Sequence, residues 1–251
     1  MTITSAIITL NEERNIERCI RSVLPFSDEV VVLDAFSTDK TKEICENLGV
    51  KFIQREWEGY AQSKNFLNAQ ASSDYIFSID ADEAVDAELS KAIIDVKKQN
   101  KGGIYSVNRL TNYCGHWIRH SGWYPDIKTR LFPKESCKWT GEYVHEELEC
   151  SMNEEPQLLT GHLEHYSYYD FEDHRRRADK YSALTALKFH KRGKKAGALK
   201  PYLSGLGRFV SMYFIKRGFL DGKMGFKIAQ ISARSNVFKY QELRRLNKEN
   251  D

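Results

Sequence analysis

The sequence of 251 residues has no apolar run long enough to cross a bilayer. Stretches such as Phe209–Ile215 fall far short of the ~20 residues a spanning helix needs. Met1–Thr4 leads straight into a strand-like segment, so neither a signal peptide nor a membrane span is expected. Cysteine is also scarce. The five cysteines, Cys19, Cys45, Cys114, Cys137 and Cys150, form no C-x-x-C pair and have no zinc-like spacing to a pair of histidines. All five are expected to be reduced and structural, as suits a cytoplasmic protein. Internal repeats and low-complexity tracts are missing too. With 41% hydrophobic, 12% aromatic and 29% charged residues, the composition excludes a disordered chain.

Acidic residues are few in one part of the chain only. Residues 171–251 carry 20 Lys+Arg against 7 Asp+Glu, whereas residues 1–170 carry 18 against 28. An acidic body suits a bound cation, and a basic tail suits phosphates.

The first hundred residues alternate strands and helices. Ser5–Leu10, Val30–Asp34, Val50–Gln54 and Tyr75–Ile79 are short apolar runs of strand type. Between them, Ile16, Ile20, Val23 and Leu24 recur at helical spacing behind Asn11, read as an N-cap, and a second helix runs from Ser37–Asp39 to Leu48. Further helices are expected at Ala61–Ala71 and Leu89–Lys98. Such alternation predicts an α/β fold whose mostly parallel sheet is covered on both faces. From Gly103 the strands are separated by aromatic- and glycine-rich loops, and from about Asp170 the pattern is helical and basic. The expected organisation is a nucleotide-binding half at 1–102, an antiparallel acceptor half at 103–169 and a helical extension at 170–251.

Chemistry concentrates at Ser78-Ile79-Asp80-Ala81-Asp82-Glu83. Ligands of open parallel sheets gather at the carboxyl ends of strands. Two positions apart in an extended chain, Asp80 and Asp82 project to one side. Their hard oxygens suit Mg²⁺ or Mn²⁺, which would in turn bind a diphosphate. The Thr9-Leu10-Asn11-Glu12 segment opens a helix at the same rim. Asp34 ends the second strand there, and Lys64 and Asn65 stand on the helix before the Asp80 strand, where an ammonium would meet a phosphate.

These segments resemble a known family. Ala6–Ile16, Val32–Thr41 and Asp80-Ala81-Asp82 look like glycosyltransferase family 2, whose GT-A fold has a mostly parallel central sheet, a small antiparallel part and here a C-terminal helical tail. Gly141–Glu146 and Arg217–Gly222 are similar to bacterial lipopolysaccharide-core glucosyltransferases of that family. The resemblance implies a UDP-sugar donor whose nucleoside meets Thr9, Glu12 and Asp34, with Leu10, Asn11, Lys64, Asn65 and Ala81 completing the donor site. It implies a divalent ion on Asp80 and Asp82, with His165 either a third ligand or a structural histidine.

Inverting transfer of a hexose, glucose by this likeness, also needs a base for the acceptor hydroxyl. Glu146 is the first candidate, and Glu147 and Asp126 remain open. Trp117, Trp123 and Trp139 either stack on sugars or fill the core. The acceptor implied is a lipopolysaccharide-core, lipid-linked or other cell-envelope glycan. The other partner expected is an anionic membrane surface met by residues 170–220, where Tyr202, Leu206, Phe209 and Tyr213 recur at helical spacing; the alternative is a helix that packs this apolar face on the transferase body. No nucleic-acid partner is expected, and the location implied is cytoplasmic, peripheral to the inner membrane. The alternatives are a non-catalytic carbohydrate- or membrane-binding protein on this fold, and a nucleotidyltransferase. The latter would need a glycine-rich loop that Leu10–Arg14 lacks.

Overall fold

In a computed structural model, which describes residues 1–141, 146–152 and 154–248, β1 (Ile3–Thr9) is buried at every position. It lies parallel between β2 (Glu29–Asp34) and β4 (Tyr75–Asp80), and β2 pairs in parallel with β3 (Lys51–Gln54). Register sets Thr9 opposite Asp34 and Ile8 opposite Asp80, so three strands end at one rim. The sheet continues through β8 (Ile127–Pro133), antiparallel to both β4 and β6 (Tyr105–Tyr113), and β6 is followed by β11 (Gln157–Tyr168), which pairs antiparallel with β5 (Glu83–Val85). Thus the antiparallel part extends the parallel sheet. A separate hairpin pairs β9 (Cys137–Thr140) with β10 (Glu147–Cys150).

The chain forms two compact units, residues 1–110 with 126–166, and residues 111–125 with 167–251. In the first, α1 (Ile16–Val23), α2 (Thr41–Asn47), α3 (Tyr60–Ala69) and α4 (Ala87–Lys98) cover the sheet. The two-residue period of β1 divides the core. Ile3 and Ile7 join Phe26, Phe77, Ile79 and Leu89 in one cluster, while Ala6 and Ile8 join Leu67, Phe132 and Trp139 in another. The Ile, Leu and Phe side chains among these each contribute roughly 1.5–3 kcal/mol on burial. Gly161 has φ +87, and a Cβ there would lie 2.2 Å from the Leu89 backbone nitrogen, so β11 can approach the start of α4 only through glycine.

The second unit holds β7 (His116–Trp117), α5 (Phe171–Lys191), α6 (Lys200–Val210) and α7 (Gly222–Lys248). Residues 111–125, expected with the antiparallel half, cluster with these helices. Their core gathers Tyr113, Ile118, Met212, Ile228 and Ala229, with Trp123 and Phe171 packed against it. Gly205 brings α6 close to α7, because a Cβ there would meet Val237 at 2.4 Å. The buried Asp221 carboxylate accepts from the backbone N–H groups of Arg119 and His120, which explains why an acid stands in the Arg217–Gly222 segment. Among the described residues no helix is long and apolar enough to cross a membrane.

Two sequence expectations are corrected here. Cys137 and Cys150 are not reduced: they stand opposite each other in the β9–β10 register, 4.1 Å apart at Cα, and are disulfide-bonded. The odd count and the lack of a C-x-x-C spacing could not show a cross-strand pair, which depends on hairpin register. Asn11 does not cap α1, which starts after Asn15. It adopts φ 54, and its Oδ1 accepts from the Thr38 N–H, tying the β1 loop to the β2 loop.

Candidate active site

Strand ends and loops build the site within the first unit. A cavity of about 490 Å³ is lined by Lys64, Asp80, Arg109, Arg130, Trp139 and Glu146, among others. Lys64 projects from α3 and is almost wholly buried. Its Nζ lies 3.3 Å from Asp80 Oδ1 and 3.3 Å from Glu146 Oε1, and 4.7 Å from the centre of the Trp139 ring. A buried ammonium requires such partners. From β8, Arg130 reaches Asp80 Oδ2 at 3.2 Å and Glu83 Oε1 at 2.7 Å. Burial alone would raise the Asp80 pKa, but the Lys64 ammonium and Arg130 guanidinium outweigh it and hold the carboxyl well below the usual carboxylate range.

Asp82 turns elsewhere. Its Oδ2 lies 3.2 Å from His165 Nε2 on β11, and its carbonyl accepts from the Tyr166 N–H. His165 Nδ1 and Asp80 Oδ1 are both buried without a hydrogen bond among the described residues. Asp82, paired with an imidazole, and Asp80, whose Oδ1 meets the Lys64 ammonium, are hard oxygen donors of the kind that suits Mg²⁺ or Mn²⁺. Among the described residues no group of three or more His, Cys, Asp or Glu converges on one point. A cation would therefore draw its remaining ligands from phosphate oxygens, the usual arrangement for Mg²⁺.

Thr9 is buried, and its Oγ1 lacks a hydrogen-bond partner among the described residues. Leu10 and Asn11 are exposed, and the Glu12 N–H donates to Thr41 Oγ1. Asp34 is buried; one oxygen accepts from the Ser37 N–H and Gln54 Nε2, each at 2.9 Å, and the other from Ser37 Oγ. It organises the loop after β2. Asn65 spends both ends of its amide on the Trp139 backbone, fixing β9 to α3. Ala81 is buried, and its N–H donates to the Ile8 carbonyl. Asp126 lies 2.7 Å from Arg109 and 3.1 Å from Lys128, and these cations overcome burial to hold its pKa down. Glu147 lines the same cavity as Glu146. Of the motif Gly141–Glu146, residues 142–145 lie outside the described residues. Trp139 is core against Phe132, the half-buried Trp123 packs edge-on against Tyr113, and Trp117 is partly exposed.

The sequence model of Glycosyl transferase family 2 matches residues 5–150, a stretch that runs from β1 to the end of β10. The chain belongs to glycosyltransferase family 2. It is 31% identical to an uncharacterized glycosyltransferase of Rickettsia typhi, over 97% of this chain and 87% of that protein. It is 27% identical to the lipopolysaccharide core biosynthesis glycosyltransferase LpsC of Rhizobium meliloti, over 93% of this chain and 88% of that one. Among solved structures, glucosyl-3-phosphoglycerate synthase from Mycobacterium tuberculosis, in complex with Mn²⁺, UDP and glucosyl-3-phosphoglycerate, aligns over 44% of each chain at 27% identity, with a TM-score of 0.37.

Three site residues of this family 2 enzyme escaped the sequence reading: Glu83, Arg109 and Arg130. Glu83 accepts from Arg130 through both oxygens, from Arg109 and from the Asp80 N–H. The one available signal was a lone arginine in the apolar run Arg130-Leu131-Phe132, all three buried. His165, by contrast, lies beyond the matched stretch yet reaches Asp82.

Proposed function

We propose that this family 2 enzyme transfers a hexose, glucose in the first instance, from a UDP-sugar to a hydroxyl of a lipopolysaccharide-core or other lipid-linked envelope glycan, with inversion. The observation that carries the reading is Lys64, whose single ammonium stands between Asp80 and Glu146 in one cavity. A carboxylate of the donor end and a carboxylate able to act as base thus share one space, as a single displacement requires.

In that displacement, Glu146 takes the proton of the acceptor hydroxyl while the hydroxyl oxygen bonds to the anomeric carbon. The bond from that carbon to the diphosphate oxygen breaks on the opposite face, and UDP leaves with the electron pair. Asp82 and His165, with Asp80 beside them, would hold a divalent ion, which when bound supplies charge neutralisation to the leaving diphosphate. Lys64 offers a second positive charge at the same point. The β1 loop and Thr9 Oγ1 are positioned for the nucleoside. Glu146 is preferred to Asp126 because Asp126 is held by two cations, Arg109 at 2.7 Å and Lys128 at 3.1 Å, whereas Glu146 meets Lys64 at the longer distance of 3.3 Å. An acceptor of this class places the enzyme on the cytoplasmic side of the inner membrane.

The test is a panel of nucleotide sugars scored by thermal stabilisation and by UDP release, with and without Mn²⁺. Stabilisation by UDP-glucose with metal, and slow UDP release, are expected. Stabilisation without UDP release under any acceptor condition would favour a binding protein on this fold.

A further inference from the structure

We propose that residues 181–220 form a surface that docks on an anionic phospholipid bilayer, with α6 and the turns after it lying in the headgroup plane. The first observation is an apolar face left to solvent. Helix α6 buries Pro201 and Gly205. Its opposite side presents Leu203, Leu206 and Val210 at successive helical spacings of three and four, continuing from Leu199 just before the helix. Leu199 is 70% exposed, Leu203 64% and Leu206 63%. Beyond α6 the face continues in Phe214 and in Ile215, 73% exposed. Contiguous exposed apolar surface of this kind marks an interaction site.

Charge selects the occupant. Residues 181–220 contain nine Lys or Arg and not one Asp or Glu. On α5, the exposed Leu184 and Leu187 share a depression with Lys188, Lys191 and Arg192, so apolar and cationic groups alternate there as well. A second copy of the chain would bring like charges together. Aliphatic side chains with lysine and arginine beside them, on a helix too short and too polar to span, match an interfacial helix whose apolar face enters the acyl boundary while its cations meet lipid phosphates.

The surface is independent of the transferase reading, since vesicle binding needs neither donor nor acceptor. The experiment is flotation with vesicles of phosphatidylglycerol and phosphatidylcholine, and with phosphatidylcholine alone, at low and high salt. It compares the wild-type chain, Leu203→Glu with Ile215→Glu, and Lys194→Glu with Lys195→Glu. The altered apolar residues are largely exposed, so circular dichroism should match wild type. Expected are binding to the anionic vesicles that weakens with salt, at least tenfold weaker binding by the apolar variant, and a several-fold loss with the charge variant. No flotation of wild type with anionic vesicles at low salt overturns the proposal. So does an apolar variant that still floats like wild type, or one whose change is conversion of a solution dimer to monomer with flotation unaltered, which would assign the face to a second copy.

Discussion

Arg130 and Glu83 pair across 47 residues of sequence at 2.7 and 2.9 Å, with side chains only 5% and 0% exposed. The pair joins β8 to the start of β5 and carries Asp80 with it, since Arg130 also reaches Asp80 Oδ2. Burying both charges costs desolvation that their attraction and extra hydrogen bonds offset, but removing Arg130 leaves the buried Glu83 with only Arg109, at 3.3 Å, and the Asp80 N–H. Arg130→Met should therefore destabilise the fold by about 3–5 kcal/mol in urea unfolding. Adding Glu83→Gln should restore part of that loss, and no restoration would mean the pair is not the source.

The pairing of Asp82 with His165 predicts a metal-dependent effect that can be read without turnover. Asp82→Asn should keep the fold and lose the Mn²⁺-dependent part of UDP-sugar binding in calorimetry. Affinity within about threefold of wild type, less than ~0.7 kcal/mol, would remove Asp82 from the cation site.

Stability should depend on pH through His174, which is buried in the second unit against Tyr113, whose hydroxyl lies 2.7 Å from its Nδ1. Burial lowers its pKa from 6.5 to about 4, with Arg177 adding to the shift and Asp173 opposing it. Between these values the unfolded chain binds a proton that the folded chain does not. Stability from this residue is thus complete above pH 6.5 and falls as pH drops towards 4, by on the order of 3 kcal/mol. His174→Gln should flatten the urea midpoint against pH across that window; an unchanged slope would assign it to other groups.

Much of this was legible in the sequence because it is local. Apolar runs and helical spacings gave the parallel strands and their helices, and the two-residue spacing of Asp80 and Asp82 pointed to the rim. What depended on register was not legible. Arg130 meets Glu83 only because β8 joins the sheet beside β4, and the Cys137–Cys150 bond follows from the β9–β10 pairing. Asn65 reads as a donor residue by its place beside Lys64, yet a turn of the helix gives its amide to the Trp139 backbone. Asn11 has the composition of a cap, and it does cap a backbone N–H, but on the neighbouring loop.

In the proposed transfer Glu146 removes the acceptor proton while Lys64 and the rim of Asp80 serve the donor. The most direct measurement is single-turnover transfer by Glu146→Gln beside its affinity for UDP-sugar. The amide keeps the size and the hydrogen bonding of the side chain but cannot take a proton. Donor binding should stay close to wild type while the transfer rate falls by roughly 10²–10⁴. Transfer at the wild-type rate, with the loss found instead in Glu147→Gln or Asp126→Asn, would contradict that role for Glu146.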